Sequence, residues 1–172
     1  HGLQFTGMNY PFGDLLLYTD GLPLFAWMLK AWKNLFGLSM AGTVAAFNCL
    51  IVLGSLPTTP LVYALLRRCH VGQFFGAVAT LTIVFLSPQF HRFDGHLSLT
   101  FTFVVPLLWY LQVRISEALT TRGRACWMAA YVAVSLLLGL VHPYYLLHAL
   151  LLPVVDFLDR RGAPRGGAVA LV

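Results

Sequence analysis

Long apolar runs separated by short polar connections dominate the chain. Met40 to Leu66 is the first run, closed by Arg67-Arg68, and Val71 to Leu86 is the second. Leu97 to Gln112 is the third, and Ala125 to Val141 is the fourth. His142-Pro-Tyr-Tyr145 interrupts the pattern, which resumes from Leu146 to Leu158 and ends in Asp159-Arg-Arg-Gly-Ala-Pro-Arg165. The second run has 16 residues, roughly 24 Å of helix, which crosses a hydrocarbon core of about 30 Å only with help from its flanks. Pro57 and Pro60 flank Thr58-Thr59 and predict a kink or break in the first run, while Pro106 falls inside the third. The expected fold is all-α: a polytopic membrane helical bundle of about five spans.

The beginning of the chain reads differently. Pro11, Gly13, Gly21 and Pro23 punctuate residues 1–21, and Tyr10, Phe12 and Tyr18 suit a membrane interface. Asp14 and Asp20 lie in this stretch. From Leu22 to Leu38 the apolar residues Leu24, Met28, Trp32 and Leu35 recur at helical spacing, opposed by Lys30, Lys33 and Asn34. This describes an amphipathic helix lying along the membrane surface. Lys30 and Lys33 serve there as interfacial anchors or as contacts to an anionic headgroup or phosphate. The chain therefore divides into an outer-face loop and interfacial helix (1–38) and a transmembrane bundle (39–172). The ending Ala168-Val-Ala-Leu-Val172 resembles the start of another helix, so a fragment of a longer chain is expected.

Composition supports the membrane class. Hydrophobic residues make up 59 % of the chain, mean hydropathy is +0.78, and charged residues are 10 %, against roughly 25 % in soluble domains. The formal charge of +5 comes from basic residues scattered among short connections. They form no phosphate-binding stripe, so nucleic acid is not an expected partner. They do orient the spans. With Arg67 and Arg68 inside, a turn at His142–Tyr145 places Arg114, Arg122, Arg124, Arg160, Arg161 and Arg165 inside too, leaving Lys30, Lys33 and Arg92 outside. Cys49, Cys69 and Cys126 show no metal or redox spacing and read as buried or reduced thiols. No internal repeat is visible.

This orientation gathers the candidate chemistry on one outer face: Asp14 and Asp20, the loop Ser87-Pro-Gln-Phe-His-Arg-Phe-Asp-Gly-His96, and the turn at His142. The loop holds His91, Arg92, Asp94 and His96 in six positions, where ionisable groups are costly unless paired, hydrated or used. Carboxylates and imidazoles serve proton transfer or divalent-metal binding, and an arginine can grip a phosphate through paired hydrogen bonds. Each residue also has a structural reading. Asp94 before Gly95 could cap a helix starting at Leu97, and His91 could be a solvated loop residue. His142 before Pro143 could mark a helix break, and His148 reads as a packed, hydrogen-bonded core histidine.

Two stretches carry a resemblance. Asn9-Tyr-Pro-Phe-Gly-Asp-Leu-Leu-Leu-Tyr-Thr-Asp-Gly-Leu-Pro-Leu24 is similar to the first outer loop of bacterial multi-pass proteins assigned to the C-type (GT-C) membrane glycosyltransferases. Arg92-Phe-Asp-Gly-His-Leu-Ser-Leu99, with Pro106-Leu107, resembles their second signature. The resemblance implies transfer of a sugar from a polyprenyl-phosphate donor at the outer face of a bacterial inner membrane. It also implies that an acid of the first outer loop, Asp14 or Asp20, acts as base. His96 and Asp94 would position the acceptor or assist a divalent metal ion. Arg92, His91, Lys30 and Tyr144 would contact substrate. The alternatives are a transporter or flippase of lipid-linked saccharide, expected to show broken helices and ionisable residues at midplane, and a non-catalytic membrane scaffold.

Overall fold

The computed structural model describes residues 4–5, 14–15, 22–37, 39–89 and 99–162, the first two pairs and residues 159–162 by backbone alone. Seven helices account for nearly all of it: α1 (Pro23–Phe36), α2 (Met40–Leu53), α3 (Thr58–Arg68), α4 (Gln73–Phe85), α5 (Val104–Glu117), α6 (Thr121–Gly139) and α7 (Pro143–Gly162). The remaining regular structure is a two-residue antiparallel ladder, β1 (Gln4–Phe5) with β2 (Asp14–Leu15), in which Phe5 faces Asp14. The protein is all-α.

Helix α5 is the hub. Val104, Leu108 and Leu111 recur at one-turn spacing on a single face and are buried, and α5 packs against α3, α6 and α7. The core continues through Leu22, Ile51, Phe101, Tyr131, Leu138, Val141, Tyr145 and Ala149. Pro106 is the third residue of α5, not an interior position. An amide in the first turn has no intrahelical acceptor, so proline costs nothing there. The expected span from Leu97 is thus corrected: the helix begins at Val104, because Thr100, Phe101 and Thr102 are buried in non-helical chain against α3. A helix start at Val104 also removes Asp94 as its cap.

The expected break in the first run is present. The helix stops at Leu53, turns through Gly54–Pro57 and restarts as α3. Phe101 explains the place. A Cβ on Gly54 would lie 2.4 and 2.5 Å from two atoms of the Phe101 ring, so only glycine lets that ring sit against the turn. One turn further on, the buried hydroxyls of Thr58 and Thr102 are 2.6 Å apart. The pair ties the start of α3 to the segment that leads into α5.

Helix α7 contains Pro153. A mid-helix proline withdraws the N–H that would bond the carbonyl four residues earlier, here that of Ala149. The buried hydroxyl of Tyr131, on α6, donates to that same carbonyl at 2.7 Å. The chain reverses between α6 and α7 as expected, at Leu140–His142, and the amide of Leu24 donates to the carbonyl of Leu140. The start of α1 is thereby pinned beside the turn.

The outward faces are apolar. Phe74 and Phe75 on α4 are 81 % and 74 % exposed, and Leu136, Leu150 and Val155 on α6 and α7 are also exposed. On α1 the stripe of Met28, Trp32 and Leu35 points away from the protein, with only Pro23 and Leu29 buried. The three cysteines are free thiols and exposed, so of the two expected readings, buried or reduced, burial is the one corrected. Cys49 lies on the outer face of apolar α2, so exposure there is no exposure to polar groups of the protein. Met40–Arg68, taken through its turn, is long and apolar enough to cross a membrane. Gln73–Phe85 and Pro143–Leu158 are apolar but shorter.

Candidate functional site

A cavity of about 220 Å³ opens where the end of α4, the approach to α5 and the start of α7 meet. Its lining is Pro88, Gln89, Leu99, Val105, Tyr144, Tyr145 and His148. Helix α7 supplies the polar wall. Pro143 occupies its first position, where the missing amide proton is no loss. Nδ1 of His142 accepts from the Tyr144 amide at 3.2 Å, so the imidazole caps the helix. Its ring also lies against Tyr144, with centroids 4.7 Å apart. The structural reading of His142 as a helix-break residue is the one observed.

Tyr144 and His148 share a face of α7 because residues four apart are neighbours on a helix. His148 Nδ1 lies 2.7 Å from the Tyr144 carbonyl. A carbonyl only accepts, so Nδ1 carries the proton in that bond. Nε2 of the neutral ring is then a lone-pair acceptor. His148 is exposed at the cavity, which corrects its reading as a packed core residue, although the hydrogen bond was expected. The sequence signal for it was the Tyr144/His148 spacing, which an apolar setting obscured. Tyr145 is buried beneath and forms part of the core.

The other expected site residues fare differently. Gln89 and Leu99, both lining the cavity, flank Phe90–Ser98 in the chain, and His91, Arg92, Asp94 and His96 lie outside the described residues, as does Asp20. Asp14 is described by its backbone alone, paired with Phe5. Lys30 is on the exposed side of α1 and does not line the cavity. Among the described residues no three His, Cys, Asp or Glu side chains converge as a metal site requires.

The opposite end of the bundle is ionic. Glu117 accepts from Arg68 Nε at 2.9 Å and from Arg114 Nη1 at 3.3 Å. The same two guanidinium groups lie over Tyr110 and Trp127, 4.8 and 4.9 Å from the ring centroids. These contacts knit α3, α5 and α6 together, and they put Arg68 and Arg114 at one end, as the charge pattern required.

No curated protein and no solved structure matches the chain. Residues 2–171 match the family described as "Domain of unknown function (DUF6311)". With nearly its whole length matched, the chain belongs to that family.

Proposed function

We propose that the protein is a polytopic membrane glycosyltransferase that takes its sugar from a polyprenyl-phosphate donor at the non-cytoplasmic face of a bacterial inner membrane. The observation that carries this reading is the cavity at the end of the bundle remote from the arginines. Tyr144 and His148 line it, and so do Gln89 and Leu99, the described residues on either side of the stretch that holds His91 to His96. Small-ligand pockets usually hold roughly 300–1,000 Å³. About 220 Å³ suits one sugar ring or one phosphate, leaving a polyprenyl chain to lie outside against the apolar helix faces.

In this reading Asp14 or Asp20 removes the proton of the acceptor hydroxyl as it attacks the anomeric carbon, and the bond to the lipid phosphate breaks. His96 and Asp94 orient the acceptor, with His148 Nε2 accepting a sugar hydroxyl. Arg92, His91 and Lys30 hold the departing phosphate. Tyr144, through its hydroxyl, adds a hydrogen-bond donor to it. Catalysis then rests on placing the two substrates together and on stabilising the leaving group's charge. The apolar exposed faces of α1, α4, α6 and α7 support burial of the bundle in lipid, since soluble monomers rarely expose patches beyond a few hundred Å². Asp14→Asn with Asp20→Asn should abolish sugar transfer while the protein stays in the membrane fraction. Undiminished transfer by that double variant would end the assignment.

A second reading has its own support. The break at Gly54–Pro57 inside Met40–Arg68, with buried Thr58, Thr100 and Thr102 beside it, is the kind of discontinuous helix that transporters use. A flippase would move lipid-linked saccharide across vesicles without transferring it. The glycosyltransferase reading predicts transfer from donor supplied on one face only.

A further inference from the structure

The basic end of the bundle contains a second cavity, of about 260 Å³, lined by Ile115, Ser116, Arg124, Asp156 and Phe157. We propose that it holds the headgroup of an anionic phospholipid of the phosphatidylglycerol type. The inference rests on the reading that the helices lie in a membrane, and it is independent of any transferase activity.

Charge supplies the first argument. Among the residues whose side chains are described, this end carries Arg67, Arg68, Arg114, Arg122 and Arg124 against the carboxylates of Glu117 and Asp156. Glu117 is shared by Arg68 and Arg114, and Nε of Arg114 is buried without an acceptor. Arg124 reaches only the Ala118 carbonyl, at 3.4 Å. The first turn of α6 has no acid to offset its arginines, although the positive end of a helix dipole disfavours cations there. An anion at the cavity relieves both repulsions, and a guanidinium matches a phosphodiester's paired oxygens.

The rest of the lining narrows the class. Asp156 receives the Gln112 amide at 3.1 Å, and its carboxylate in the lining disfavours any headgroup with anionic groups beyond one phosphodiester, so the uncharged glycerol of phosphatidylglycerol fits. A zwitterionic ethanolamine headgroup would leave the arginine excess standing. Ile115 and the half-exposed Phe157 form the apolar wall along which acyl chains leave. Basic recesses between helices at the cytoplasmic end are suited to such headgroups.

The test uses the full chain in detergent, with phosphatidylglycerol, phosphatidylethanolamine and phosphatidylcholine of identical acyl chains competing at equal concentration. Retained lipid is read by native mass spectrometry. Phosphatidylglycerol should be retained about fivefold over phosphatidylcholine, the factor expected of one basic contact. Arg124→Gln should bring the two to parity, and Arg124→Lys, which keeps charge and loses the fork, should fall between. Arg122→Gln, exposed and outside the lining, should keep the preference. Equal retention by the native protein, preference for phosphatidylethanolamine, or an unchanged preference in Arg124→Gln would overturn the proposal. Displacement of the lipid by millimolar inorganic phosphate would also overturn it, marking a free-anion site. Alkaline carbonate extraction of membranes, run in parallel, shows separately whether the bundle is membrane-embedded.

Discussion

The Tyr131 hydroxyl donates to the Ala149 carbonyl at 2.7 Å, and that carbonyl is the one Pro153 leaves without its helical partner. A proline inside α7 is tolerated because a side chain on α6 takes over the missing bond, as buried backbone in an apolar setting demands. Tyr131→Phe should therefore destabilise the protein by about 1–3 kcal/mol. In a Pro153→Ala background, where the Ala149 carbonyl regains an amide donor, the same change should cost much less. Thermal unfolding in detergent of the four members of this cycle measures the coupling. Additive costs would mean that the hydroxyl and the proline are unrelated.

Gly54→Ala brings a methyl group into the Phe101 ring, with separations of 2.4 and 2.5 Å before relaxation. Overpacking of this kind costs about 1–3 kcal/mol. Phe101→Leu alone should also destabilise, by loss of a buried ring, but Gly54→Ala added to it should cost little further. Melting temperatures of the two single variants and the double variant decide this.

Thr58 and Thr102 offer a sharper contrast. Either single Thr→Val change leaves one buried hydroxyl without its partner and should cost about 1–2 kcal/mol. The double change removes both groups with little change of shape and should lie close to the native protein. If the double variant loses the sum of the singles, the 2.6 Å contact is not what stabilises the break between α2 and α3.

At the candidate site, His148→Gln and Tyr144→Phe should each lower sugar transfer by roughly 10- to 100-fold, a range typical of lost positioning contacts. Both positions are exposed, so melting should barely move. Activity in membranes with a radiolabelled polyprenyl-phosphate sugar reads the first effect, and native-like melting controls for the second.

Much of this architecture was legible in the chain, and the exceptions have physical causes. Helix α1 follows from the spacing of Leu24, Met28, Trp32 and Leu35, and the reversal before α7 follows from His142-Pro143. The break near Pro57 was visible too, but its site depends on Phe101, 47 positions from Gly54 in the chain, which no local pattern reveals. The start of α5 is hidden in the sequence because Thr100-Phe101-Thr102 reads as apolar helix while its side chains are buried beside the start of α3. His148 reads as a core residue because its neighbours are apolar. In a chain whose outward faces are as apolar as its core, hydropathy does not distinguish buried from exposed. Tyr131 with Ala149 is likewise a pairing between elements, and only the proline hinted that a donor was needed.

The proposed function requires Asp14, the chain after Gln89 and the α7 turn to share one outer face, opposite the arginine end. Single cysteines at Asp14, Gln89, Tyr144 and the fully exposed Leu119, with Cys49, Cys69 and Cys126 changed to Ser, can be labelled in intact cells by a membrane-impermeant thiol reagent. That arrangement predicts labelling at Asp14, Gln89 and Tyr144, with Leu119 labelled only after permeabilisation. Labelling of Gln89 and Leu119 from the same side, or of Asp14 and Gln89 from opposite sides, would contradict it.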